Sequence, residues 1–185
     1  MPRPIQYIVF TADVQVQQAG RLRAAMAQAA NAGRDIYLII SSGGGNVAEG
    51  LGLGAFMRTL PVHITTHNLG QIDSIAGVIF AAGKKRYANP MASFMFHGVT
   101  MHYEKVDLIE SQLKEQYNQI VRLRESIATA FANYTGLNIA DVESLMVSGA
   151  TILSAQDALS KSIVHEVRDA QIPPGTNDVV AIGNV

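Results

Sequence analysis

The run Asp35-Ile36-Tyr37-Leu38-Ile39-Ile40, followed by Ser41-Ser42-Gly43-Gly44-Gly45-Asn46, decides the architecture. Its first six residues are rich in β-branched and aromatic side chains and show no polar alternation. Such a run predicts a strand buried on both faces, as in a parallel sheet covered by helices. The glycine-rich turn ends the strand. Asn46 is suited to cap a helix, which runs to Leu60 and is stopped by Pro61. The unit is strand, tight turn, helix.

The same unit recurs on both sides. Tyr7–Phe10 predicts a first strand, and Val16 to Ala30 carries apolar residues at helical spacing up to the stop signal Asn31-Ala32-Gly33. Val62–Thr66 predicts the next strand. Gly70-Gln71-Ile72-Asp73-Ser74-Ile75-Ala76-Gly77 then forms a turn entering a helix of small residues, Ser74 to Ala82. Lys85–Ala88 and Ser93–Phe96 predict two short strands, and a long helix follows from about Lys105 to about Tyr134, closed by Thr135-Gly136. Shorter pieces are a helix over Ile139–Val147, the pair Ile152-Leu153, a helix over Ser154–Ser160 and a strand over Ile163–Val167. Strands alternating with helices predict an α/β layer fold with parallel pairs. The domain is expected over residues 1–168. Residues 169–185, with Pro173-Pro174-Gly175, are expected to be a loosely ordered tail.

Composition narrows the function. The chain has 185 residues, a size typical of one domain, and 48% hydrophobic residues supply a sizeable core. Charged residues make up only 16%, against about 25% in typical domains. Two explanations stand side by side: surface covered by other subunits, or simply a small domain rich in alanine and glycine. The net charge is −1, and Lys84-Lys85-Arg86 is too short a basic cluster to argue for nucleic acid. The absence of cysteine excludes disulfides, thiol nucleophiles and cysteine metal sites. Only a few residues precede the first strand, and Ile5–Phe10 is too short for a signal core or membrane span. A cytoplasmic protein without membrane attachment is the expectation.

Two strand-to-helix turns could carry chemistry. In Ser42-Gly43-Gly44-Gly45-Asn46, backbone N–H groups unshielded by side chains could hold a negative oxygen, or the glycines could merely make a flexible turn. Ser74, at the second turn, could expose its hydroxyl as a nucleophile, although the spacing is not G-x-S-x-G; equally, it could cap the helix. His97 ends a strand beside Gly98. A hydroxyl nucleophile needs a nearby base, and histidine is the usual one. His67, near the Ser74 turn, and His102 are further candidates. His63 and His165 lie in strand patterns and read as structural.

Taken together, Asp35–Val47, Gly70-Gln71 through Ser74 to Ala81-Ala82-Gly83, Phe94-Met95-Phe96-His97, Thr135-Gly136 and Leu153-Ser154-Ala155 resemble the proteolytic subunit of Clp proteases, over about Ile8 to Val167. The resemblance implies a ClpP/crotonase-like fold and a serine-type endopeptidase working inside an oligomeric chamber of one or two heptameric rings. It implies Ser74 as nucleophile and His97 as base, with the backbone N–H groups of Gly44 and Ile75 around the oxyanion. No metal or other cofactor is implied; the substrate is a peptide or unfolded protein, and an AAA+ unfoldase is the family's partner. Three departures stand out. Counting back from Leu153-Ser154-Ala155, Ala150 occupies the place of the triad aspartate, with Asp141, Glu143 and Asp157 the nearest acids and Asp73 adjoining the nucleophile. The short N-terminal segment leaves little to meet an unfoldase. Gly98 to Glu104 lacks the glycine-rich stretch by which such rings touch. The alternatives are a catalytically silent ring subunit, a crotonase-type acyl-CoA enzyme, and a Ser-Lys dyad using Lys114.

Overall fold

A computed structural model describes residues 2–100, 109–147 and 149–184. In chain order the elements are β1 (Ile5–Thr11), α1 (Val16–Asn31), β2 (Asp35–Ser42), α2 (Val47–Thr59), β3 (Ile64–Asp73), α3 (Ala76–Ala81), β4 (Lys85–Ala88), β5 (Ser93–Phe96), α4 (Glu110–Thr135), α5 (Ile139–Val147), β6 (Thr151–Ser154), α6 (Ala155–Ser160), β7 (Glu166–Val167) and β8 (Val179–Gly183). The strands form one sheet in the order β6-β5-β3-β2-β1-β8, with β4 beside β3 and β7 beside β4. Every pairing is parallel except β5 with β6. This is the α/β fold of strand-turn-helix units that the sequence implies.

The unpatterned apolar run of β2 is explained by its place. It lies between β1 and β3, and Ile36, Leu38 and Ile40 are fully buried. Asn46 caps α2 by accepting the Glu49 N–H at 3.0 Å, and α2 stops one residue short of Leu60. The core joins the sheet to α1, α2, α3 and the C-terminal half of α4 through Leu22, Leu53, Phe80 and Phe131.

Several boundaries differ from the sequence reading, three of them with consequences. The third strand starts at Ile64 and continues to Asp73, through Gly70–Asp73, which reads as the start of a turn in sequence. A register shift against β2 absorbs the irregularity, and the Asn68 side chain bridges Ser93 O and the Gly70 N–H. The last strand of the predicted domain shortens to Glu166–Val167. Most consequentially, the tail expected to be loose carries β8, which pairs in parallel with β1 from Tyr7↔Val179 to Thr11↔Gly183 and buries Ile182. An open edge on β1 gives those residues the partner that their own sequence cannot reveal.

The long helix spans 26 residues, Glu110–Thr135, and is closed by left-handed Gly136. Its predicted start at Lys105, together with Leu108 and His102, lies outside the described residues. Of its side chains, Ile127, Ala128, Phe131 and Ala132 are buried, all in the C-terminal half.

Candidate active site

Ser74 sits between β3 and α3 with a φ of 55°, a left-handed conformation that non-glycine residues rarely hold. Its N–H donates to Met95 O at 2.8 Å, extending the β3–β5 pairing by one bond, while its carbonyl accepts the Gly77 N–H at 3.0 Å. The chain is thus pinned as strand on one side and helix on the other. The sharp turn between presents the hydroxyl, as in a nucleophile elbow.

The glycine-rich turn packs directly onto this serine. Gly44 has a φ of +90°, and a Cβ there would lie 2.8 Å from both Asp73 O and Ser74 Cβ. Gly45, at φ +141°, would place a Cβ 2.6 Å from Val14 O. Neither position admits a side chain. The N–H of Gly44, which the family resemblance implies as an oxyanion donor, donates to Ser42 Oγ at 3.2 Å. The neighbouring Gly45 N–H has no hydrogen-bond partner among the described residues, and neither has the Ile75 N–H.

His97 follows β5. Ser74 and His97 line one cleft of about 630 Å³ with Gly43, Gly45, Gln15, Gly98, Val99 and Thr100 at the polar end. Apolar side chains from four helices form the rest: Val47, Val78, Ile127 and Phe131, Val142 and Met146. Phe96 closes it, edge-on to Phe131 at 5.3 Å. Serine and imidazole make no direct hydrogen bond in this arrangement. The His97 ring instead bonds through Nδ1 to Gly98 O at 2.7 Å. A carbonyl can only accept, so Nδ1 carries the proton and Nε2 is left as an acceptor.

β5 and β6 run antiparallel, and their pairing ends with Phe96 opposite Thr151. His97 and Ala150 are the next residues beyond that pair, and alanine offers no carboxylate to the ring. The acids considered from sequence are engaged elsewhere. Asp157 accepts the Ser154 N–H at 3.0 Å and the Ser154 hydroxyl at 2.6 Å as a helix cap, bonds that hold its carboxyl below the usual range. Glu143 lies 3.9 Å from Arg124, and Asp141 is an exposed residue in the first turn of α5. Among the acids, Asp73 responds to His97: burial raises its carboxyl, and His97 offsets part of that rise.

The other candidate bases do not join the site. His67 is fully buried; its Nδ1 accepts from the Tyr37 hydroxyl at 2.7 Å and its Nε2 donates to Arg168 O at 3.0 Å. Burial lowers its affinity for a proton. His165 accepts the Arg86 N–H at 3.0 Å. Lys114 lines a separate depression on α4 with Ser111 and Arg122. Sequence reasoning missed the Gly98 carbonyl, because a backbone acceptor leaves no residue-type signal.

A profile of the Clp protease family matches residues 5–171. Among solved structures, a ClpP1 mutant from Listeria monocytogenes aligns with a TM-score of 0.79 at 19% sequence identity, covering 90% of this chain and 92% of that one. At this identity the likeness establishes a common fold.

Proposed function

The chain belongs to the Clp protease family, and from that premise and the geometry of the cleft we propose that it is a serine-type endopeptidase. The observation that carries the proposal is Ser74, held left-handed at the mouth of an apolar cleft that also contains a histidine with an accepting Nε2. Ser74 Oγ attacks the peptide carbonyl carbon while His97 Nε2 takes its proton. The tetrahedral intermediate collapses to an acyl-enzyme as His97 returns the proton to the departing amine, and water then releases the acyl group by the same route. Apo geometry at such sites is often looser than in the substrate complex, so the Ser74–His97 bond forms as the peptide is seated.

For the oxyanion we assign the N–H groups of Gly45 and Ile75. The first replaces the Gly44 assignment because the Gly44 N–H already serves Ser42 Oγ. The lining of Val47, Val78, Ile127, Phe131 and Met146 suits an apolar substrate side chain. As in the family, the active form is a homo-oligomeric ring, heptameric by that analogy, with an unfoldase as an external partner where one is used.

A second reading, a catalytically silent ring subunit, draws on Ala150 standing where the family resemblance puts the triad acid. A fluorophosphonate probe, which phosphonylates activated serines, separates the two. Wild type should label and Ser74→Ala should not. Labelling that persists in Ser74→Ala overturns the assignment of the nucleophile. A folded wild type that never labels favours the silent subunit.

A further inference from the structure

The strand at the far end of the sheet is joined to the glycine-rich turn by an unbroken series of hydrogen bonds. β8 is fastened at its start, where Gln6 donates through Nε2 to Asp178 O at 2.8 Å and Arg34 pairs with the Asp178 carboxylate while also donating to Gln6 Oε1 at 2.8 Å. Ile182, opposite Phe10, is buried in the common core. The parallel register then delivers Asn184 to the end of β1, where its Oδ1 accepts the Asp13 N–H at 3.0 Å. The next residue, Val14, is fully buried and joins the glycine turn. Its N–H donates to Gly44 O at 2.7 Å, and its carbonyl accepts the Asn46 N–H at 2.7 Å. These two bonds grip Gly45 from both sides, as a parallel bridge between Val14 and Gly45. Gln15, one residue on, lines the cleft.

We infer that the segment Asp178–Asn184 is a positioning element for the oxyanion turn: it holds the Asp13–Val14 corner on which Gly44 and Gly45 are hung beside Ser74. The inference rests on the serine-peptidase reading for its catalytic consequence, but the mechanical coupling stands apart from it. Two features make the coupling consequential. The turn is closely packed: a Cβ at Gly44 would lie 2.8 Å from Asp73 O and Ser74 Cβ, and one at Gly45 2.6 Å from Val14 O. An oxyanion donor also acts through distance, and losing one outright typically costs about 10²–10³ in turnover. Loosening a donor without removing it costs a fraction of that.

The test compares wild type, a chain ending at Asn177, Asn184→Ala and Asn184→Asp, which retains the acceptor oxygen. Hydrogen exchange at the Val14 and Asn46 amides reads the coupling directly, whether or not Ser74 reacts. Both amides should exchange faster in the shortened chain and in Asn184→Ala, and return toward wild type in Asn184→Asp. Fluorophosphonate labelling of Ser74 should slow about tenfold in the shortened chain and about threefold in Asn184→Ala, fractions of the donor loss above. For a small peptide the loss should fall on kcat with KM unchanged, because the oxyanion exists only past the ground state. Unchanged exchange at Val14 and Asn46 in both variants overturns the inference, as does a loss confined to KM. Should the shortened chain fail to fold, Asn184→Ala decides on its own, since it leaves the strand in place. If wild type shows no labelling at all, the peptidase reading falls, while the exchange data still judge the brace.

Discussion

At the scale of the residue, the site turns on two positions that hold no reactive side chain. Ala150 follows the last β5–β6 pair, as His97 does on the other strand, and the Gly98 carbonyl accepts the Nδ1–H hydrogen bond that a triad acid would accept. A triad aspartate does two things: it fixes the histidine tautomer, and it stabilises the imidazolium formed in the transition state; its loss costs roughly 10⁴ in the serine proteases where this was measured. A carbonyl performs the first task and only weakly the second, since it brings a dipole and no charge. The remaining deficit is therefore electrostatic. Ala150→Asp should raise small-peptide kcat by at least about tenfold and by much less than ~10⁴. Ala150 is exposed, so the substitution needs no repacking. An unchanged rate, combined with loss of activity in Asp73→Asn, would reassign the acid to the residue beside the nucleophile, whose carboxyl already senses His97.

At the scale of the element, Arg86 shows how the short strands at the back of the sheet are held. It is 4% exposed and pairs with no carboxylate among the described residues; instead it donates to Ile163 O at 2.7 Å, Ser162 O at 3.2 Å, Gly83 O at 3.3 Å and Tyr134 O at 3.4 Å. One guanidinium thus ties β4 to the end of α3, the end of α4 and the turn before β7. Burial, helped by the charge of Arg58, lowers its pKa to about 10, so it remains charged at neutral pH. Arg86→Met keeps the length but strands those carbonyls, and should lower unfolding stability by about 3 kcal/mol. A shift in the urea midpoint worth less than about 1 kcal/mol would show that water satisfies the carbonyls equally well. Nothing at Lys84-Lys85-Arg86 distinguishes this arginine in sequence, and the same limit governs what else could be read there. Buried strands such as Asp35–Ile40 and helices ended by Gly33, Pro61 and Gly136 are legible because their signal is local. Ser74 and His97 carry no such local signal of their own; their turns leave a cap and a polar edge residue equally open, and only the family resemblance singles them out. β8 was not legible, because Val179-Val180-Ala181-Ile182 becomes a strand only when the β1 edge lies beside it. Neither was the full length of β3, in which Gly70 reads as a turn and the Asn68 side chain bonds Ser93 O and the Gly70 N–H along the strand.

At the scale of the whole molecule, only part of α4 is covered by its own domain. Its 26 residues span about 39 Å at ~1.5 Å each, and its buried residues, Ile127, Ala128, Phe131 and Ala132, all lie in the C-terminal half. The C-terminal half packs on the core, but in the N-terminal half Leu113 is 53% and Tyr117 65% exposed, next to Ile109 at 65%. These three recur four residues apart and share one face with the half-buried Ile120. Burying a leucine-sized side chain contributes about 1.5–3 kcal/mol, and in a ring each copy repeats the contribution. If the proposed ring forms, this stripe is the expected subunit contact, and it fits the low charge content of the chain. Sedimentation at micromolar concentration should give a particle of many subunits. The double substitution Leu113→Glu and Tyr117→Glu should sediment as a smaller one, with circular dichroism and melting temperature close to wild type because neither side chain touches the core. Activity should fall with assembly if the cleft depends on neighbouring subunits, which labelling of Ser74 in the smaller particle measures directly. A wild type that stays monomeric would remove the chamber from the proposed function, and a double variant that assembles normally would move the subunit contact off this helix.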